Sequence, residues 1–237
     1  MKMNMPDAAL LDRPVWASLN TAHLPLSEGT PLARRYLRQV NRFASARDDG
    51  QTALSALAAL VAPGEQVYVL QVPEIVVPPT LSAVKRGLCV QLAASAPLSP
   101  PSAAGEAIVA LSAPDAPEML ALATLTEPGP FLSQTHRMGD FVGIRIDGRL
   151  AAMAGERFRF PGYTEVSGVC THPDFRGRGL ARRLSQHVAA NVAARGDTAF
   201  LHAWKHNTGA IALYEDLGFA WRCDVQVAVL ERPDTQV

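Results

Sequence analysis

Cysteine is scarce in this chain of 237 residues: Cys89, Cys170 and Cys223 stand far apart, with no CxxC spacing. Neither a disulfide framework nor a thiolate zinc site is indicated. Charge of one sign is not in excess, with 22 Lys plus Arg against 22 Asp plus Glu, so no global field draws the protein to nucleic acid or a membrane surface. No apolar run approaches the roughly 18 residues that a transmembrane helix needs, and the opening MKMNMPDAALLDRPVW has no apolar core of signal-peptide length. The expectation is a cytoplasmic protein in a reduced compartment, without metal. Familiar motifs are missing too. There is no GxxxxGK(S/T) and no GxSxG, and a dinucleotide fingerprint would need glycine where Arg182 stands. His202 and His206 are four apart on a strand and its following loop, a spacing that does not converge them on a metal.

Proline is scarce beyond Pro130: fifteen of the eighteen lie at or before it. The first part of the chain is accordingly loop-rich, and Asp12 to Thr30, with no sustained period, is expected to run over the surface. A helix is predicted from Asp49 or Gly50 to Val61, with Leu54, Leu57 and Val61 on one stripe, followed by strands over Gln66 to Val72 and Leu88 to Ala93. The segment SAPLSPPSAAG, rich in proline and small residues, disfavours both helix and ladder hydrogen bonds. It marks a boundary, giving an N-terminal α/β region (1–95), a linker (96–105) and a second domain (106–237).

The second domain reads as a strand over Glu106 to Leu111, then a helix to about Thr126 opened by a capping-box-like Asp115 and Glu118. A hairpin follows, Phe141 to Ile146 and Arg149 to Phe158, because Asp147-Gly148 supplies the positive φ values of a type I′ turn. Next come a strand from Thr164 to Thr171, a helix from about Gly179 to Gly196, a strand over Phe200 to Trp204, a helix capped by Asn207 and ended by Gly218, and a last strand over Ala220 to Leu230. This order is a mixed α/β layer fold.

The chain is organised around EVSGVCTHPDFRGRGLARRLSQHVAANVAAR, Glu165 to Arg195. Between its strand and helix, Arg176-Gly177-Arg178-Gly179-Leu180-Ala181 combines small residues that allow close backbone approach with a helix start whose free N–H groups favour an anion. Arg176, Arg178, Arg182 and Arg183 sit at the wrong end of that helix, each costing roughly 0.3 to 1 kcal/mol in the empty protein. A bound, multiply charged anion would reverse that cost. A solvated basic face is the plainer alternative.

These residues carry a resemblance. Arg-Gly-Arg-Gly-Leu-Ala after a strand resembles the R/Q-x-x-G-x-G/A signature of the GNAT superfamily of acyl-CoA-dependent N-acyltransferases. NTGAIALYEDLGF, Asn207 to Phe219, looks like its second motif. The likeness covers roughly residues 104–230. It implies a GNAT-like mixed central sheet flanked by helices, with the N-terminal smaller α/β region added, and leaves open that 1–95 is a degenerate acyltransferase-like half.

The resemblance further implies acetyl-CoA as acyl-donor cosubstrate, with its pyrophosphate at Arg176 to Ala181 and its pantetheine arm along Val169, Cys170 and Thr171. It gives Tyr214 the role of proton donor to the departing thiolate, unless that ring only packs, and lets Asn207 either reach the pantetheine amide or simply cap its helix. The expected partner is an amine acceptor on a small molecule or a protein, with homodimerisation left open. A lysine-like amine of pKa near ~10.4 costs about 4.6 kcal/mol to deprotonate at pH 7, so a base or a desolvating pocket has to offset that. Glu165, placed by strand alternation on the side of Ser167, Val169 and Thr171, is the base candidate, with a solvated strand-end carboxylate as the alternative. A rival to the enzyme is an acyl-CoA-binding sensor or scaffold without turnover.

Overall fold

The computed structural model describes residues 7–234. Met1 to Pro6, part of the opening segment read above for a leader, lie outside the described residues. Ahead of the proline-rich segment come α1 (Pro14–Leu19), β1 (Ser27–Gly29), β2 (Ala33–Tyr36), β3 (Ala44–Ala46), α2 (Gln51–Ala59), β4 (Gln66–Gln71) and β5 (Ser82–Ala94). After it come β6 (Ile108–Leu111), α3 (Ala116–Thr126), β7 (Phe141–Ile146), β8 (Arg149–Phe160) and β9 (Tyr163–Thr171). The chain closes with α4 (Leu180–Ala194), β10 (Thr198–Trp204), α5 (Thr208–Asp216) and β11 (Phe219–Glu231).

One mixed sheet runs through both parts, in the order β4-β11-β5-β10-β9-β8-β7-β6, while β1, β2 and β3 form a small sheet of their own. The expected boundary at 96–105 therefore gives way. Strand β5 sits between β10 and β11 and pairs antiparallel with both, so neither part buries its strands without the other. The longest strand of 1–95 fills an interior place in the shared sheet. The proline-rich segment crosses the outside of α4, where Gln186 donates to the Ser99 carbonyl at 3.1 Å and Arg183 to the Glu106 carbonyl at 2.9 Å. A chain beginning at residue 106 exposes the ladder groups of β10 and β11 that β5 satisfies. It is expected to be unfolded or aggregated by circular dichroism and sedimentation.

Helix α4 buries the stripe read from its sequence, Leu180, Leu184, Val188 and Val192, against β8 and β9, and Gly196 at φ 85° stops it. Helix α5 lies on the same face through Ile211, Tyr214 and Leu217. The opposite face is aromatic, with Tyr36, Phe158, Phe160 and Phe200 packed beneath α1. That helix corrects the surface path expected for 12–30: Val15 and Leu19 are fully buried, and six residues are too few to display a period. The capping box also moves. Ser112 and Asp115 form it, while Glu118 accepts from the Leu150 amide and pairs with Arg145. The β7–β8 turn is as read, with Asp147 at φ 52° and Gly148 at φ 77°.

Candidate active site

Strands β9 and β10 are a parallel pair, and their pairing is short: Tyr163, Thr164 and Glu165 oppose Thr198, Ala199 and Phe200. Beyond Glu165 the two strands part. The side of β9 from Val166 to Thr171 turned away from β8 then faces a cleft of about 370 Å³, whose other walls include His202, Trp204, Asn207 and Tyr214. Backbone N–H and C=O groups without a ladder partner can bind an extended, amide-bearing ligand as another strand would. Val169, Cys170 and Thr171 all line this cleft. The buried Thr171 hydroxyl has no hydrogen-bond partner.

The strand does not keep its alternation. Gly168, at φ 62°, interrupts the β8–β9 register between the Gly155–Ser167 and Met153–Cys170 pairs, making a bulge. After it Val169 joins Val166 in the core beneath α4, and Cys170 joins the core beneath α3. Glu165 is thus on the opposite face from Val169, contrary to the simple period of two. Burial raises the Cys170 thiol pKa to about 11, which makes it a packing residue at neutral pH.

The turn into α4 is built on two left-handed glycines, Gly177 at φ 78° and Gly179 at φ 72°, the latter being the residue before the helix. Leu180 is buried and pins the first turn, Ala181 lines the cleft, and Arg176 to Gly179 are exposed. The four arginines divide. Arg182 lies 3.5 Å from Asp216 and Arg183 holds the proline-rich segment, whereas Arg178 makes only a ring contact over Phe175 and Arg176 has no side-chain partner.

A Cβ added at Gly179 meets no protein atom within 4 Å, so any contact it made would be with a ligand. The same is true of Gly148 in the distant hairpin, also left-handed at φ 77°. Both Gly→Ala changes should cost about 1 kcal/mol of stability through φ. Only Gly179→Ala is expected to weaken CoA binding, by about tenfold or about 1.4 kcal/mol in calorimetry. Equal CoA affinity in the two variants would place the phosphates elsewhere.

Asn207 caps α5, its Oδ1 accepting from the Ala210 amide at 3.2 Å. One turn beyond Ala210, Tyr214 packs edge-on against Phe219 with centroids 6.1 Å apart. Burial pushes its phenol pKa up to about 12, with the Ser185 hydroxyl on α4 pulling the other way. The group is a proton donor throughout the neutral range.

Glu165 has a different setting from the one expected. Its carboxylate is fully buried and shielded from the cleft, and its oxygens are taken: Arg157 Nε and Nη2 donate to it at 2.7 Å each, and His202 Nδ1 lies 2.6 Å from it. Burial alone would raise its pKa, but the Arg157 charge and hydrogen bonds, with His202, hold it down to about 2. Such a group is neither open to the cleft nor a holder of a proton at neutral pH. Gln91 Nε2 donates to the Leu11 carbonyl at 2.9 Å and faces His202 Nε2 at 3.0 Å. Glu165 and Gln91 thus hold the His202 ring from its two nitrogens. Arg157, His202 and Gln91 come from three strands and were not anticipated. The one local sign was the charged pair Glu156-Arg157, which follows the run of apolar and small residues from Leu150 to Gly155 in β8.

A cleft between two parting parallel strands, closed at one end by a glycine turn with free cations and a helix start, is a site for an extended ligand that ends in an anion. The FR47-like protein family matches residues 141–227, which span the β7 to β11 segment carrying it. A crystal structure described as an acetyltransferase of the GNAT family from Novosphingobium aromaticivorans is 42% identical. It covers 94% of this chain and 98% of its own, with a TM-score of 0.87. A GCN5-related N-acetyltransferase from Kribbella flavida shares the fold at 19% identity and a TM-score of 0.63, covering 94% of this chain and 96% of its own. Among curated proteins, the ribosomal protein bS18-alanine N-acetyltransferase of Salmonella typhimurium is 39% identical over 77 residues, 32% of this chain and 51% of that protein. The N-alpha-acetyltransferase RimI of Mycobacterium tuberculosis is 35% identical over 82 residues, 33% of this chain and 51% of its own. The chain thus spans about half the length of these curated relatives. It belongs to the GNAT family of N-acetyltransferases.

Proposed function

We propose that the protein transfers an acetyl group from acetyl-CoA directly to a primary amine. The observation that carries this reading is the parting of β9 and β10 beyond Glu165 and Phe200, immediately ahead of the Gly177–Gly179 turn. Pantetheine would lie along Val169 to Thr171 as an added strand, and the pyrophosphate against Arg176 to Ala181. In the reaction the amine nitrogen attacks the thioester carbonyl carbon. The C–N bond forms as the C–S bond breaks, Tyr214 gives its proton to the thiolate, and the amine gives one to water in the open cleft. The two transfers balance once Tyr214 is reprotonated from solvent.

The base is where the chemistry narrows the acceptor. With Glu165 committed to Arg157 and His202, the carboxylate left on the cleft wall is that of Glu127, on an exposed loop where nothing holds it in place. An α-amino group, with a pKa of about 7.7 to 8.0, costs only about 1 kcal/mol to present as free base at pH 7. An α-amine acceptor is the less demanding match on that cost, and it accords with the names of the alanine and N-alpha acetyltransferases among the relatives.

The test is calorimetry with acetyl-CoA, followed by thiol release across a panel of α- and ε-amines. CoA is expected to raise the melting temperature far more than pantetheine at the same concentration, since only CoA brings phosphates to the turn. Equal shifts would remove the phosphate assignment. No thiol release across the panel would remove the enzyme.

A further inference from the structure

Most Lys and Arg side chains among the described residues have an ion-pair or hydrogen-bond partner. Those with neither an ion pair nor a hydrogen bond are Arg42, Lys85, Arg86, Arg176 and Arg178. They fall into two groups. Arg176 and Arg178 stand at the donor turn. Arg42, Lys85 and Arg86 line a second hollow, of about 690 Å³, on the sheet face over β4, β11 and β5. The two hollows share Tyr68, Trp204, Val227 and the Glu127–Pro130 loop as walls, so the second opens into the acyl-CoA cleft.

We infer that this hollow is the acceptor subsite and that it selects an amine carrying a carboxylate or phosphate on the same molecule. The inference rests on the acetyl-transfer reading and adds to it the charge of the acceptor.

Several features converge. Glu127 is the only acid among the lining residues, against Arg42, Lys85 and Arg86, so the hollow carries net positive charge in a protein whose total is balanced. Lys85 is held in place without being neutralised, its Nζ 5.8 Å from the Trp204 ring centroid. A ring contact orients an ammonium while leaving its N–H donors for an anion. Trp204 in turn stacks on His206 at 18° and 6.0 Å. It lies so close over β5 that a Cβ at Gly87 would meet its ring at 2.7 Å, so the glycine makes room for the platform. Strand β5 thus brings a fixed cation beside a wall of the reaction cleft. An acceptor anion held there leaves the amine, a few bonds away, to enter past Tyr68 and Trp204 towards the thioester. Arg157 does not compete for the anion, because its charge is already matched by Glu165.

The experiment measures binding to the CoA-loaded protein by ligand-detected NMR, using two pairs of primary amines that differ in one anionic group: L-alanine with L-alaninamide, and O-phosphoethanolamine with ethanolamine. The expected result is at least ~10-fold tighter binding of each anionic member at low ionic strength, falling as salt is added. Whichever pair shows the larger ratio identifies carboxylate or phosphate as the preferred group. In the doubly reversed variant R42E/K85E the ratio should fall to one or below, with CoA affinity unchanged. Lys85→Gln, which keeps the side chain's length, should lose part of it. Anionic and neutral members binding alike, or a ratio untouched in the folded variants, would overturn the inference. CoA calorimetry and acetyl transfer, run on the same samples, keep the two readings apart. Transfer without preference for anionic amines removes the subsite and keeps the enzyme; anion-selective binding without transfer removes the enzyme and keeps the subsite.

Discussion

Glu165→Gln is expected to lower the free energy of unfolding by about 3 to 5 kcal/mol, the cost of breaking a buried ion pair from one side. The reason is what remains. Arg157 is largely buried, with its guanidinium centred 4.6 Å from the Phe158 ring and 5.0 Å from the Phe43 ring. Without the carboxylate its charge has no counter-ion in that aromatic core. Replacing both partners, Glu165→Gln with Arg157→Met, removes the stranded charge and is expected to cost less than the single change. Urea unfolding of the parent, both single variants and the double variant measures this. Additive losses would mean that the pair is not coupled.

The pH dependence has a definite sign. Because the folded-state pKa of Glu165 is depressed to about 2, its contribution is fully present above the ordinary carboxylate value near 4.5 and is lost as pH falls between the two. The parent should therefore lose stability through that window more steeply than Glu165→Gln. The same variants test the role first expected of Glu165. A general base would give a variant as stable as the parent but slow, whereas a buried structural anion gives one whose loss of activity follows its loss of fold.

The parts of the site legible in the sequence are those coded by neighbours along the chain. The glycine turn, the α4 stripe, the Asn207 cap and the Tyr214 helix each depend on residues within a turn or two, and each stands where its local pattern put it. What stayed hidden is assembled across the sheet. Strand β5 showed itself as a strand, yet nothing local says that it enters between β10 and β11, a pairing across more than a hundred residues. The Arg157–Glu165–His202 group depends on the same assembly, since each member comes from a different strand. Gly168 is the instructive case. A lone glycine inside a strand pattern signals a bulge, and reading it so would have moved Val169 and Thr171 off the face of Glu165.

Tyr214→Phe keeps the ring and removes one hydroxyl, and turnover on an identified acceptor is expected to fall about 10²-fold, the low end for a positioned general acid. The low end applies because thiolates leave readily even without a donated proton. CoA affinity should stay within a few-fold, since the turn at Gly179 and the open edge of β9 are untouched. Stability should change little, because the contact with Phe219 is made by the ring. The pH profile supplies an independent readout. With its pKa pushed up to about 12, the phenol stays protonated through the working range, so Tyr214 contributes no alkaline limb near neutrality. The acidic limb belongs to the acceptor amine, whose free-base fraction falls as pH drops through its own pKa. The variant should therefore show a lower plateau with the same acidic limb. A shifted limb would mean that Tyr214 acts on the amine, while an unchanged plateau would make it a packing residue and leave the thiolate to be protonated by water.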